Sequence, residues 1–171
     1  PLKHILLTDE VPSGVHNISA IQGMAGSGKT TIAEYLANDD EIRQRYDGGV
    51  LWATLGQDPD ILKKLIDWIC AIGDSESQLE TIDIASARLR SRLQEKAMLI
   101  VLDDVWEPDH VRPFLVGGSK SHYLITTRRL FVVDEIKAKQ HKWQAMTPDQ
   151  SLALFAARLD RSLEESERKE A

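Results

Sequence analysis

NISAIQGMAGSGKTTIAEYLA, residues 17–37, runs from an apolar stretch through a glycine-rich turn into a helix-forming segment. Within it, Gly23-Met24-Ala25-Gly26-Ser27-Gly28-Lys29-Thr30 fits the spacing G-x-x-x-x-G-K-[ST]. Glycines at 23, 26 and 28 let the backbone turn tightly and bring its N–H groups against phosphate oxygens. A helix over 30–37 adds the partial positive charge of its N-terminus at the same spot. Lys29 then reaches the β- and γ-phosphates, the Thr30 hydroxyl is a Mg²⁺ ligand, and Thr31 completes a candidate binding set of residues 23–31. The competing reading is a glycine-rich turn that merely opens a helix and leaves Lys29 in solvent. Agreement between the spacing and its strand–loop–helix context favours the phosphate.

Apolar runs recur outward from this loop. They lie at 49–55 (GVLWATL), 98–102 (MLIVL) and 123–126 (YLIT), with a weaker fifth at 142–146. Runs of this kind, Val/Ile/Leu-rich rather than strictly alternating, predict parallel strands buried on both faces. Between them, Ile61, Leu65, Ile69 and Ile72 repeat at helical spacing, with Leu62 and Ile66 widening the stripe and Asp58 or Asp60 as its cap. A second, more charged helix is expected over 79–93. Pro148 opens a third, with Leu152, Phe155, Ala156 and Leu159 on one face. Asp39, Asp40 and Glu41 end one helix and begin another. Strands alternating with helices imply an α/β fold built on a parallel sheet.

The run at 98–105 (MLIVLDDV) ends in two carboxylates. In a parallel sheet, ligands sit at the carboxyl ends of strands, where Asp103 and Asp104 fall. The first can hold Mg²⁺ opposite Thr30; the second can orient the water that attacks a γ-phosphate. Alternatively, both cap a helix beginning near Glu107. The next strand ends in Thr126-Thr127-Arg128-Arg129. Arg128 is the candidate sensor of a γ-phosphate, and Thr126 and Thr127 are candidate water ligands; the alternative is a pair of surface arginines.

The 171 residues suit one domain, and 42% hydrophobic with 28% charged residues excludes disorder. A net charge of −6 disfavours a broad nucleic-acid-binding surface, so no nucleic-acid partner is expected. No apolar run is long enough to span a membrane, and PLKHILLTDE at the start does not read as a secretory signal. A single cysteine, Cys70, fits a reducing, cytoplasmic setting and reads as a buried, inert thiol. The five histidines show no metal-ligand spacing. Trp52, Trp68, Trp106 and Trp143 read as core packing rather than as a base-stacking surface. Residues 160–171 are almost wholly polar, as befits a solvated helical tail or linker, and suggest a piece of a longer protein.

GMAGSGKTT (23–31), YDGGVLWATLG (46–56), MLIVLDDVW (98–106) and LITTRR (124–129) together resemble the NB-ARC family within the STAND class of signalling P-loop ATPases. That family includes plant disease-resistance proteins, the apoptosis-activating ATPases of animals and many bacterial relatives, and YDGGVLWATLG looks most like the bacterial members. A weaker match is MTPDQSLALF (146–155). The resemblance implies a three-layer P-loop fold over 16–159, with a central, mostly parallel five-stranded sheet flanked by helices. Residues 1–15 would be the end of an upstream helix and a linker. The metal strand and the sensor strand would lie beside the phosphate-loop strand. It also implies an ATP/ADP switch: ADP holds a resting state, ATP permits oligomerisation, and hydrolysis is slow. In that scheme Lys29 and Thr30 bind phosphate and Mg²⁺, Asp103 is the metal aspartate, Asp104 the hydrolytic one and Arg128 the sensor. The family's GLPL segment and MHD histidine are not found, nor are the helical and winged-helix domains that carry them and would be partners of this core. Weaker ADP binding than in an intact protein is the corresponding expectation.

Overall fold

The computed structural model describes residues 2–8, 16–74, 79–145 and 147. The helix expected from Pro148 and the polar tail of 160–171 lie outside the described residues, as does the end of the expected strand at Met146.

Five strands form one sheet: β1 (Asn17–Gln22), β2 (Gly49–Gly56), β3 (Met98–Val105), β4 (His122–Thr127) and β5 (Lys139–Lys142). The order across the sheet is β2-β3-β4-β1-β5, and every neighbouring pair is parallel. The strand expected to end in the sensor arginine, β4, therefore sits directly beside β1. The strand expected to hold the metal, β3, does not: it lies one place further out, with β4 inserted between, which corrects the expectation that both flank β1.

Period-2 alternation sorts the apolar side chains onto the two faces. Met98, Ile100 and Leu102 of β3 point into one core, with Leu65 and Ile69 of α4 (Ile61–Ala71) and Leu89 and Leu93 of α5 (Ile82–Leu93). Leu99 and Val101 point to the other face, where they meet Ala33 and Leu36 of α2 (Lys29–Ala37) and Ile42 of α3 (Asp40–Arg45). Helices on both faces of a wholly parallel sheet give the three-layer α/β architecture. The second core also takes in Leu2 and Leu6 of α1 (Leu2–Thr8), whose Leu6 carbonyl accepts a 2.6 Å hydrogen bond from the buried Tyr46 hydroxyl. Short helices α6 (Pro108–Val111) and α7 (Leu130–Glu135) complete the other side.

Two expectations fail. The fifth strand is Lys139–Lys142 rather than 142–146: its polar sequence is held by the backbone ladder Ser19↔Lys139 to Gln22↔Lys142, which leaves no apolar signature. Cys70 is exposed, not buried. The buried line of α4 runs through Leu65, Trp68 and Ile69, and Cys70 falls outside that stripe.

Candidate phosphate site

The loop between β1 and α2 closes on itself. Met24 carbonyl accepts from the Ser27 amide at 3.4 Å and from the Ser27 hydroxyl at 2.9 Å. Gly26 and Gly28 take φ values of 70° and 86°, the left-handed region that glycine enters without penalty. Gly23 does not, so its need for glycine has another source: a Cβ there would run into the Trp143 carbonyl oxygen. Gly28 caps α2 without a side-chain hydrogen bond, so no side-chain cap meets the amides of the first turn. Lys29 is nearly buried and donates to the Met24 carbonyl at 2.7 Å. Burial holds its pKa below the ordinary value, the nearby Arg128 adds to that, and Asp104 and Asp103 pull the other way.

Opposite the loop, the ends of β3 and β4 are tied by hydroxyls. Asp103 is 4% exposed; its Oδ1 accepts from Thr30 Oγ1 at 2.8 Å and from Thr126 Oγ1 at 2.6 Å. The same Thr126 oxygen accepts the Asp104 amide at 2.9 Å, where the β3–β4 register shifts. Asp104 sits at φ 51°, a conformation that L residues rarely adopt and that Asp tolerates better than most. Its carboxylate accepts from Trp106 Nε1 at 3.1 Å and lies 3.6 Å from Arg128 Nε. Arg128 and Arg129 both lie over the Trp106 ring, 5.4 and 4.7 Å from its centroid, and Arg129 pairs with Glu107 at 3.1 Å.

A cleft of about 410 Å³ opens between these groups, lined by Gly26, Gly28, Lys29, Thr30, Thr31, Thr54, Asp103, Asp104, Thr126 and Arg128. Of the residues expected to contact nucleotide, Gly23, Met24, Ala25 and Ser27 do not line it: Met24 and Ala25 face solvent, and Gly23 and Ser27 are buried behind the loop. Neither aspartate caps α6, whose N-cap Glu107 makes no side-chain cap bond. Thr127 is fully buried, donates to the Val105 carbonyl at 2.8 Å and accepts the Arg129 amide at 3.0 Å; it is no water ligand. Thr126 lines the cleft, but its hydroxyl is spent on the two aspartates.

Thr54 near the end of β2 escaped the sequence reading, as did the contacts that Trp106 and Trp143, read there as packing, make at the site. Trp52, Trp68 and Trp143 take the packing role expected of all four tryptophans, Trp52 and Trp143 against the core that holds Leu99 and Val101 and Trp68 edge-on to Phe114 at 4.9 Å; Trp106 lies instead beneath Arg128 and Arg129. The Trp143 indole donates to the Ser27 carbonyl at 2.8 Å.

The cleft fits a phosphate chain with a hard cation. Nothing lies within 4 Å of a Cβ built on Gly26, so the loop has open space there. The protonated Lys29 is paired with a neutral carbonyl rather than a carboxylate. Thr30 and Asp103 offer hard oxygens side by side. Among the described residues there is no group of three or more His, Cys, Asp or Glu able to hold a metal, so the remaining ligands here would be phosphate oxygens and water. A second cavity, of about 460 Å³ at the start of β2, has no comparable set of groups.

Comparison with known proteins gives the family and the fold. The family model described as NB-ARC domain matches residues 2–162. The chain is 32% identical over 149 residues to disease resistance RPP13-like protein 4 of Arabidopsis thaliana, covering 81% of this chain and 17% of that protein. It is 30% identical over 145 residues to the regulatory protein AfsR of Streptomyces griseus, covering 81% and 14%. It thus spans less than a fifth of the length of these relatives. Among solved structures, Cdc6p from Pyrobaculum aerophilum superposes with a TM-score of 0.66 at 18% identity, over 94% of this chain and 46% of that one, a likeness of fold.

Proposed function

Because the chain belongs to the NB-ARC domain family, we propose that it is the ATP/ADP-binding core of a STAND-type switch, binding Mg-nucleotide and hydrolysing ATP slowly. In the longer protein this core would control oligomerisation and signalling, working against the helical and winged-helix domains of its parent. The observation that carries the reading is the convergence of the loop with two strand ends. Thr30 is hydrogen-bonded to Asp103, 73 positions away, while Lys29, Asp104 and Arg128 border the same cleft.

The residues divide the work. Lys29 exchanges the Met24 carbonyl for the β- and γ-phosphate oxygens, trading a neutral acceptor for a charged one. Thr30 and Asp103 would hold Mg²⁺, which supplies charge neutralisation across the phosphates when bound. Asp104 orients the attacking water and accepts its proton as the bond from the γ-phosphorus to the bridging oxygen breaks. Arg128 swings from Asp104 to the γ-phosphate and stabilises charge developing there. Trp106 keeps a hydrogen bond on Asp104 throughout, holding the carboxylate in place while the arginine moves.

Two measurements test the reading. Denaturing the purified protein and chromatographing the supernatant should release adenine nucleotide, or Mg·ADP should bind in a calorimetric titration that Lys29→Ala abolishes. Asp104→Asn should retain binding while turnover of Mg·ATP falls by about 10²-fold. Binding without any wild-type turnover would favour a non-hydrolysing scaffold, and failure of both nucleotide assays overturns the proposal.

A further inference from the structure

The residue that follows β5 reaches back to the phosphate loop. The ladder between β1 and β5 ends at Gln22↔Lys142, and Trp143 adds one more rung by donating its amide to the Gln22 carbonyl at 2.7 Å. That rung sets the indole over the loop that begins at Gly23. Three contacts follow from it. The indole N–H donates to the Ser27 carbonyl at 2.8 Å, the same Nε1 lies 3.8 Å from a Cβ position on Gly28, and the Trp143 carbonyl fills the space that a Gly23 side chain would take.

The Ser27 contact bears on phosphate binding through peptide geometry. A trans peptide carries its C=O and the following N–H on opposite sides of one plane. Drawing the Ser27 carbonyl onto the indole therefore turns the Gly28 N–H the other way. Gly28 and Gly26 line the cleft, so this orientation decides where their peptide dipoles aim. The left-handed φ of Gly28 leaves the plane free to rotate in the absence of a restraint, because glycine has no Cβ to oppose it. No side-chain cap at the start of α2 supplies that restraint.

We propose that Trp143 is a positioning residue for the phosphate loop, holding the Ser27–Gly28 peptide in the orientation that receives phosphate and linking the chain leaving β5 to the occupancy of the cleft. This rests on the nucleotide-binding reading for its consequence, but not for the contact itself. It also implies reciprocity: whatever moves the chain after β5 changes affinity for nucleotide, and nucleotide changes the restraint on that chain by the same factor.

The test uses Trp143→Phe, which keeps a ring over the loop and deletes the donor. In the nucleotide-free protein, amides of residues 24–28 should exchange with deuterium about fivefold faster, while those of β3 and β4 keep their rates and the melting midpoint does not move. Mg·ADP affinity should fall by about tenfold in calorimetry. In the wild type, the Trp143 indole N–H resonance, one of four and assigned by its loss in the variant, should shift on adding Mg·ADP while that of Trp68 holds. Unchanged loop exchange overturns the proposal, as does faster exchange with affinity within twofold of wild type. A lowered midpoint with uniform loss of protection would show mere packing and would also overturn it. Should the variant not fold, the wild-type resonance decides: no shift at saturating Mg·ADP overturns it. Absence of any ADP binding to the wild type would defeat the functional reading, leaving loop exchange to decide the positioning.

Discussion

Lys29 shows how a single side chain can couple binding to pH. Its ammonium is nearly buried, rests on a neutral carbonyl, and has its pKa lowered mainly by burial and next by Arg128. An arriving phosphate chain reverses that balance by placing negative charge against it. Nucleotide affinity should therefore be flat well below the lowered pKa and fall as the pH rises through it, because the neutral amine must take up a proton to bind. Calorimetry at alkaline pH, in two buffers of different ionisation enthalpy, should show that proton uptake, and Lys29→Ala should lose it. The sign for the free protein is opposite. Between the lowered pKa and 10.5 the native state holds fewer protons than the unfolded one, so this group makes stability rise with pH across that window. The lysine itself was legible from its place after three glycines, as was the hydroxyl beside it. Trp143 was not, because its bond to Ser27 spans 116 positions and a lone tryptophan in a polar stretch carries no spacing to read. The strained φ of Asp104 was equally invisible, since two adjacent aspartates look alike until the register shift of β3 gives them different surroundings.

At the scale of elements, visibility followed the source of each element's stability. β3 is buried over nearly its whole length, so its side chains had to be apolar on both faces and the sequence announced it. β5 at the sheet edge is half exposed and is held by main-chain pairing to β1, so its KQHK sequence announced nothing. The same distinction predicts how helices respond to substitution. Leu89 of α5 is fully buried in the core beneath the sheet, and Leu89→Ala should cost about 2–5 kcal/mol by leaving a cavity. Thr81 caps the same helix through a 3.3 Å bond to the Ile84 amide at the surface, and Thr81→Ala should cost only about 1 kcal/mol. Urea unfolding with a shared slope would measure both; equal losses would mean that α5 is held by its cap rather than its core. The expected α5 over 79–93 missed this start, because the charged stretch before Thr81 has helical composition but the threonine hydroxyl fixes the first turn.

Across the whole molecule, the sheet order brings together groups that the chain keeps far apart. β1 lies between β4 and β5, and the connection from β1 through α2 and α3 crosses to β2 at the far edge. The chain then returns through β3 and β4, delivering Asp103 and Arg128 to the loop end of β1. Among the described residues no helix is long and apolar enough to cross a membrane, and two cores share the stability of the sheet between them. A ligand in the cleft would touch the loop, α2, β3 and β4 at once, so its binding energy should appear as stability of the entire fold rather than of one segment. Ligand at a hundred times its Kd stabilises the native state by about 2.7 kcal/mol. For a chain of this length each kcal/mol raises the melting midpoint by roughly 2–4 °C, so saturating Mg·ADP should raise it by about 5–10 °C in one cooperative step. Lys29→Ala should show no such rise at the same concentration, and a rise confined to the near-ultraviolet signal, with the far-ultraviolet midpoint unmoved, would mean that the cleft couples only to its own loop.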